Sequence, residues 1–147
     1  MKKIFLLLSL SFAYMLSPAQ PLKADSWKIK WNKKWILEAN KENAASNTRK
    51  VKLAELNKNC FLEISYKEGD AQKEKTWNRS FLLFDENDKE LLRKDSTRNA
   101  KIPAPELKKL FSDKKKIIIY TLAIPTDPDL AARIRVRRIH LCTLELQ

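Results

Sequence analysis

Apolar and polar residues alternate along several segments of this 147-residue chain. Residues 27–31 alternate tryptophan or isoleucine with lysine, and residues 60–66 place Cys60, Leu62 and Ile64 at every second position. Successive side chains of a strand point to opposite faces of a sheet, so this alternation is typical of a strand with one buried face. The same reasoning predicts about eight strands, over residues 27–31, 35–40, 49–56, 60–66, 77–84, 90–94, 116–124 and 133–146.

A single segment has clear helical spacing. Pro103 and Pro105 favour a helix start because proline suits the first turn, and Leu107 follows at a position that helical periodicity would bury. We expect one short helix over residues 104–111 and a shorter turn at residues 127–132. Strands joined by polar turns, with one connecting helix, predict a mostly β fold, an antiparallel β-sandwich of about eight strands. An α+β open sheet covered by the helix is the alternative.

The N-terminus has the composition of a secretory signal peptide. Two lysines precede an apolar run over residues 4–16, and small residues follow up to Ala19. The run is shorter than the roughly 20 apolar residues that span a bilayer, so we expect a cleaved signal and not a membrane anchor. The sequence therefore predicts removal of residues 1–19, export to the periplasm or the extracellular space, and one β-rich domain over residues 20–147.

The chain is strongly basic. Its formal net charge is +12, and loss of the two signal-peptide lysines would lower it to +10. An excess of this size favours contact with a polyanion such as a nucleic acid, an anionic glycan, a lipid headgroup or a cell-wall polymer. The alternative is that the charge only keeps an exported protein soluble.

Two residue types are nearly absent. Gly69 is the only glycine and His140 the only histidine. Without glycines the chain lacks nucleotide-binding loops and nucleophile elbows, and a single histidine excludes multi-histidine metal sites. We therefore expect no enzyme activity, no metal and no cofactor. A small hydrolase that pairs carboxylates from Glu63, Asp85 and Glu90 is the least favoured function.

Cys60 and Cys142 are the two cysteines of the chain. Export favours oxidation, and both residues share a face of their predicted strands with apolar residues, so we expect a disulfide between them inside the core. Two buried, unpaired thiols are the alternative. His140 is two residues from Cys142 and would share its face, but no fourth ligand completes a metal site.

Arginines recur along the last predicted strand. Arg133, Arg135 and Arg137 alternate with Ile134 and Val136. On a strand the three guanidinium groups would form a ladder with a spacing of about 6–7 Å, which suits phosphate or carboxylate groups of a ligand. The alternative is a solvated face that pairs with acidic side chains of a neighbouring strand.

Three tryptophans are interleaved with lysines near the start of the predicted domain. If Trp27, Trp31 and Trp35 were exposed together, they would stack on sugar rings or bases while the lysines bind anionic groups. Their spacing of four also fits an amphipathic helix on a membrane surface. Ile29 has the same parity as Trp27 and Trp31, which favours the sandwich core for these rings.

Together these patterns predict a secreted, non-catalytic binding or interaction module. The alternative is a basic polyanion- or glycan-binding protein, in which the arginine ladder and the tryptophan–lysine segment contact the ligand. The partner would be a polyanion, a glycan or another exported protein. The directions in which the four tryptophans point would distinguish these hypotheses.

Overall fold

The computed structural model of the protein describes residues 23–57 and 59–147, so the predicted signal peptide and its cleavage site lie outside the described residues. The described part contains nine strands: β1 (Ser26–Trp31), β2 (Lys34–Ala39), β3 (Thr48–Val51), β4 (Phe61–Lys67), β5 (Trp77–Phe84), β6 (Glu90–Lys94), β7 (Asn99–Pro103), β8 (Lys116–Pro125) and β9 (Ile139–Leu146). Its helices are α1 (Ala71–Thr76), α2 (Ala104–Leu110), α3 (Pro128–Arg133) and a 3₁₀ turn, Leu53–Glu55.

The strands form two sheets. The first has the order β2-β1-β4-β7, and the second has the order β3-β9-β8-β5-β6. Neighbouring strands are antiparallel except for β3 and β9, which are parallel. The predicted mostly β, sandwich-like fold is confirmed, with one strand more than expected.

The core lies between the two sheets, where the alternating apolar residues of both meet. Trp27, Ile29 and Trp31 of β1 are at most 2% exposed, as their shared parity predicts. Two side chains join the sheets directly: Trp27 Nε1 donates a hydrogen bond to the carbonyl oxygen of Leu141 at 3.0 Å, and Arg49 Nε of β3 donates one to the carbonyl oxygen of Ile36 of β2. Burial of these side chains supplies the main driving force for folding.

The predicted helix is present as α2, at one end of β4. It starts after Pro103, with Pro105 in its first turn, and the backbone N–H of Ala104 donates to the carbonyl of Cys60. Leu107 is fully buried, and Phe111 packs edge-on against the Trp31 ring at 6.4 Å between centroids. The helix therefore covers the core at this end of the sandwich.

The expected disulfide is not formed. Cys60 and Cys142 are both buried, as predicted, but they are free thiols. Cys60 directly precedes β4 near α2 and its thiol donates to Asn32 Oδ1, whereas Cys142 lies within β9 opposite Ile119. The two cysteines occupy different levels of the sandwich, so a shared inward direction does not bring their sulfur atoms together.

We expect the thiols to be present but unreactive in the native protein. Burial raises the pKa of the Cys142 thiol to about 12, so on the order of 1 in 10,000 of these groups is ionised at pH 8. Ellman's reagent should detect two thiols in the denatured, unreduced protein and react much more slowly with Cys142 before denaturation. Absence of thiols after denaturation without reductant would show that the cysteines are oxidised.

The last predicted strand is wrong over its first half. Residues 127–132, expected to form a turn, begin α3, because the Asp127 carboxylate accepts hydrogen bonds from the backbone N–H groups of Asp129 and Leu130. Residues 133–138, which we call the arginine segment, end this helix and then run irregularly until β9 begins at Ile139. The three arginines therefore do not form a ladder on a strand.

Candidate functional site

An open cleft of about 220 Å³ lies at the end of the sandwich opposite α2. We call it the end cleft. The end of β4, the start of β5 and the arginine segment meet there. Its lining residues are Asp25, Glu68, Lys73, Trp77, Arg79, Ala123, Ile134, Arg135, Val136, Arg137 and Ile139.

A buried ion pair lies beneath the end cleft. Both carboxylate oxygens of Glu68 accept hydrogen bonds from Arg79, at 2.7 Å from Nε and 3.0 Å from Nη2, and the two side chains are 1% and 3% exposed. Arg79 also donates to Thr121 Oγ1, and its guanidinium lies 3.7 Å from the centre of the Tyr66 ring. Arg98 approaches the same carboxylate at 3.7 Å. This bidentate geometry fixes the position of the charges.

Asp25 joins the N-terminal chain to the same region. Its two oxygens accept hydrogen bonds from the Tyr66 hydroxyl and the Gly69 backbone N–H, both at 2.7 Å. Burial, helped by the bond to Asp25, raises the pKa of Tyr66 above its usual range. A β-carbon on Gly69 would lie 1.7 Å from the carbonyl oxygen of Lys23. The single glycine is therefore required for this close backbone approach.

The acidic residues that the sequence suggested for a hydrolase are not brought together. Glu63 lies on the outer face of β4, Asp85 in the turn after β5, and Glu90 on β6. Asp25 and Glu68 do reach one cleft, but all four of their carboxylate oxygens accept hydrogen bonds from protein donors. Their geometry suits support of the cleft walls better than proton transfer to a substrate.

Cations and an aromatic ring surround the mouth of the end cleft. Trp77 is half-buried in one wall, and the ammonium group of Lys73 lies 5.5 Å from its ring centre. Arg135 and Arg137 are exposed on the other side, where Arg137 binds Glu42. Among the described residues, no carboxylate lies within 4 Å of the charged groups of Lys73 and Arg135.

The structure divides the predicted arginine ladder. Arg135 and Arg137 line the end cleft, whereas Arg133 ends α3 and is not among its lining residues. The adjacent Arg138 points to the outer face of the second sheet, where it binds both carboxylate oxygens of Asp88 at 3.0 and 3.1 Å. Two of the three predicted arginines therefore share one site, but they reach it from an irregular segment.

Of the three tryptophans predicted as candidate ligand-binding residues, two are buried and one is exposed. Trp27 and Trp31 are 2% exposed, so neither ring can contact a ligand, and the core interpretation holds for both. Trp35 is 57% exposed, and the ammonium groups of Lys30 and Lys28 lie 4.1 and 5.5 Å from its ring centre. Trp77 and Lys73 were not predicted as ligand-binding residues. A tryptophan directly after a lysine-rich polar segment could have indicated them.

The prediction that His140 and Cys142 share a face of their strand is wrong. A register shift between Ile119 and Tyr120 pairs Cys142 with Ile119 in the core and His140 with Tyr120. His140 Nε2 lies 2.9 Å from Thr143 Oγ1, and burial lowers the pKa of the imidazole. Within residues 23–57 and 59–147, no group of three or more His, Cys, Asp or Glu side chains is arranged to hold a metal ion.

Comparison with known proteins assigns no family. The sequence matches no protein-family model, and no curated protein is significantly similar to it. No helix in the described part of the chain is both long and apolar enough to cross a membrane.

Proposed function

We propose that this protein is an exported, non-catalytic binding module that binds an anionic glycan chain in the end cleft. The observation that carries the proposal is that Lys73 beside the Trp77 ring, and Arg135 and Arg137 on the opposite side, line one concave site. Export is proposed from the N-terminal sequence alone, and N-terminal sequencing of the mature protein should begin near Gln20.

The electrostatics of the end cleft favour an anion. The negative charge of Glu68 is matched by Arg79 and approached by Arg98, so the carboxylate beneath the cleft does not dominate its field. Asp25 adds a second carboxylate to the lining, but the four cations Lys73, Arg79, Arg135 and Arg137 outnumber the two carboxylates, so the lining residues have a net charge of +2. A cleft lined mainly by positive charges focuses the electric field and attracts anionic ligands.

The shape and lining favour one unit of a longer chain over an enclosed small molecule. The cleft is open and small, and its apolar lining consists of Trp77, Ala123, Ile134, Val136 and Ile139. An aromatic wall can pack against the apolar face of a sugar ring, while guanidinium groups bind carboxylate or sulfate groups in bidentate fashion. A shallower surface continues along the arginine segment past Val136 towards Tyr120, where the next units of a glycan would lie.

We expect Arg135→Glu to weaken binding of heparin by about tenfold, since it replaces a cation at the cleft mouth by an anion. The variant should elute from a heparin column at lower salt than the wild type, and its affinity should fall less steeply with salt. The exposed position of Arg135 predicts a nearly unchanged unfolding midpoint.

Arg133→Glu is the matched control, because it changes the net charge equally but lies outside the end cleft. It should elute close to the wild type. Equal weakening by the two variants would show that net charge, and not the cleft, governs retention, and an early-eluting wild type would reject the proposal outright.

A further inference from the structure

The outer face of the first sheet presents a second aromatic surface, away from the end cleft. We call it the Trp35 face and define it by Lys28, Lys30, Trp35, Phe61, Glu63 and Lys101. All six residues point away from the core on strands β1, β2, β4 and β7. Trp35 is the most exposed large apolar side chain in the described part of the protein.

The strand register places the two aromatic residues on either side of a charged pair. Lys30 is paired with Trp35 on β2 and with Glu63 on β4, and Phe61 lies two residues from Glu63 on the same face. Standard strand spacings put the α-carbons of Trp35 and Phe61 about 12 Å apart. Because β2 is the edge strand of the first sheet, none of the strands that the structure describes pairs with its outer side, next to the Trp35 ring.

The three lysines of the Trp35 face lie beside two carboxylates, whereas Lys73 of the end cleft has no carboxylate within 4 Å among the described residues. Lys28 binds Glu38 at 2.8 Å, and Lys30 and Lys101 approach the two oxygens of Glu63 at 3.7 and 3.9 Å. With Glu38 and Glu63 counted against the three lysines, this surface has a net charge of only +1. An ammonium group lies beside each ring, because Lys30 Nζ is 4.1 Å from the centre of the Trp35 ring and Lys101 Nζ is 4.9 Å from that of Phe61. A polyanion would meet the two carboxylates as well as the lysines, so the face offers it little net attraction.

We infer that the Trp35 face binds an uncharged polysaccharide. The C–H face of a pyranose ring is apolar and packs against an exposed aromatic ring, and its hydroxyl groups both donate and accept hydrogen bonds. The neighbouring ammonium and carboxylate groups supply the complementary donors and acceptors. A sheet face with two separated rings suits an extended chain, and this binding is independent of the cleft.

The test is affinity electrophoresis of the wild type in acidic native gels that contain hydroxyethyl cellulose, soluble starch, galactomannan or dextran. Acidic gels are needed because the protein is strongly basic. At least one polymer should retard the wild type, and Trp35→Ala should raise the dissociation constant for that polymer about 5- to 100-fold. Calorimetry at 50 and 500 mM NaCl should give nearly equal affinities, since no counterions are released.

Two variants serve as controls. Leu130→Ala removes another exposed apolar side chain, from α3, and should leave the retardation unchanged. Arg135→Glu, which tests the end cleft, should also leave the retardation unchanged. Either proposal can therefore be rejected without rejecting the other. Retardation by none of the four polymers, an equal loss in Leu130→Ala, or binding abolished by salt would each overturn the inference.

Discussion

Replacing Arg79 by methionine is expected to lower the free energy of unfolding by about 3–5 kcal/mol, because the change leaves a buried carboxylate without its partner. Glu68 is 1% exposed, and both of its oxygens accept hydrogen bonds from Arg79. Arg98 lies at 3.7 Å from Glu68 and compensates for only part of the loss. Urea denaturation followed by tryptophan fluorescence measures the effect.

Arg93→Met is the control for this prediction. Arg93 also binds a carboxylate in bidentate fashion, that of Glu90, but both side chains are more than a third exposed. The control should cost less than about 1 kcal/mol because solvent screens an exposed pair. Adding Glu68→Leu to Arg79→Met should recover part of the stability, since it removes the unpaired charge. Equal losses in the two single variants would show that water reaches Glu68 through the end cleft.

Trp31→Ala is expected to cost about 3–5 kcal/mol, the usual range for deletion of a buried aromatic side chain. Trp31 is 2% exposed and packs edge-on against Phe111, so the deletion would leave a cavity between β1 and the end of α2. The same denaturation experiment measures the loss.

Trp35→Ala removes the same side chain from the neighbouring strand, where it is 57% exposed. Its cost should stay below about 1 kcal/mol, because a surface change removes little buried area. If Trp35→Ala proved as damaging as Trp31→Ala, the assignment of faces in the first sheet would be wrong.

The sandwich and its core could be predicted because burial leaves a period-two pattern in the sequence. Trp27, Ile29 and Trp31 share one parity, and that parity alone placed them inside. The elements that were not predicted bury few side chains, so any pattern they leave is short. Helix α1 has no buried residue and lies in a segment for which the sequence predicted neither a helix nor a strand. Strand β7 alternates but buries only Ala100 and Ile102.

The candidate site depended on long-range contacts that no local pattern encodes. Asp25 meets Tyr66 across 41 positions, and Glu68 meets Arg79 across a helix. The arginine segment was misread because Ile134 and Val136 alternate with arginines like the residues of a strand. In fact α3 precedes them, started by the Asp127 cap, and the chain becomes regular again only at β9.

The most direct test of anion binding in the end cleft is a titration observed through the four tryptophan indole N–H signals in a ¹H–¹⁵N NMR spectrum. Each signal reports a different environment, and Trp→Phe variants assign them. Adding a heparin-derived tetrasaccharide should shift the Trp77 signal in a salt-dependent manner and leave those of the buried Trp27 and Trp31 nearly unmoved. A Trp77 signal that stays in place while the tetrasaccharide binds, or a shift confined to Trp35, would contradict the account.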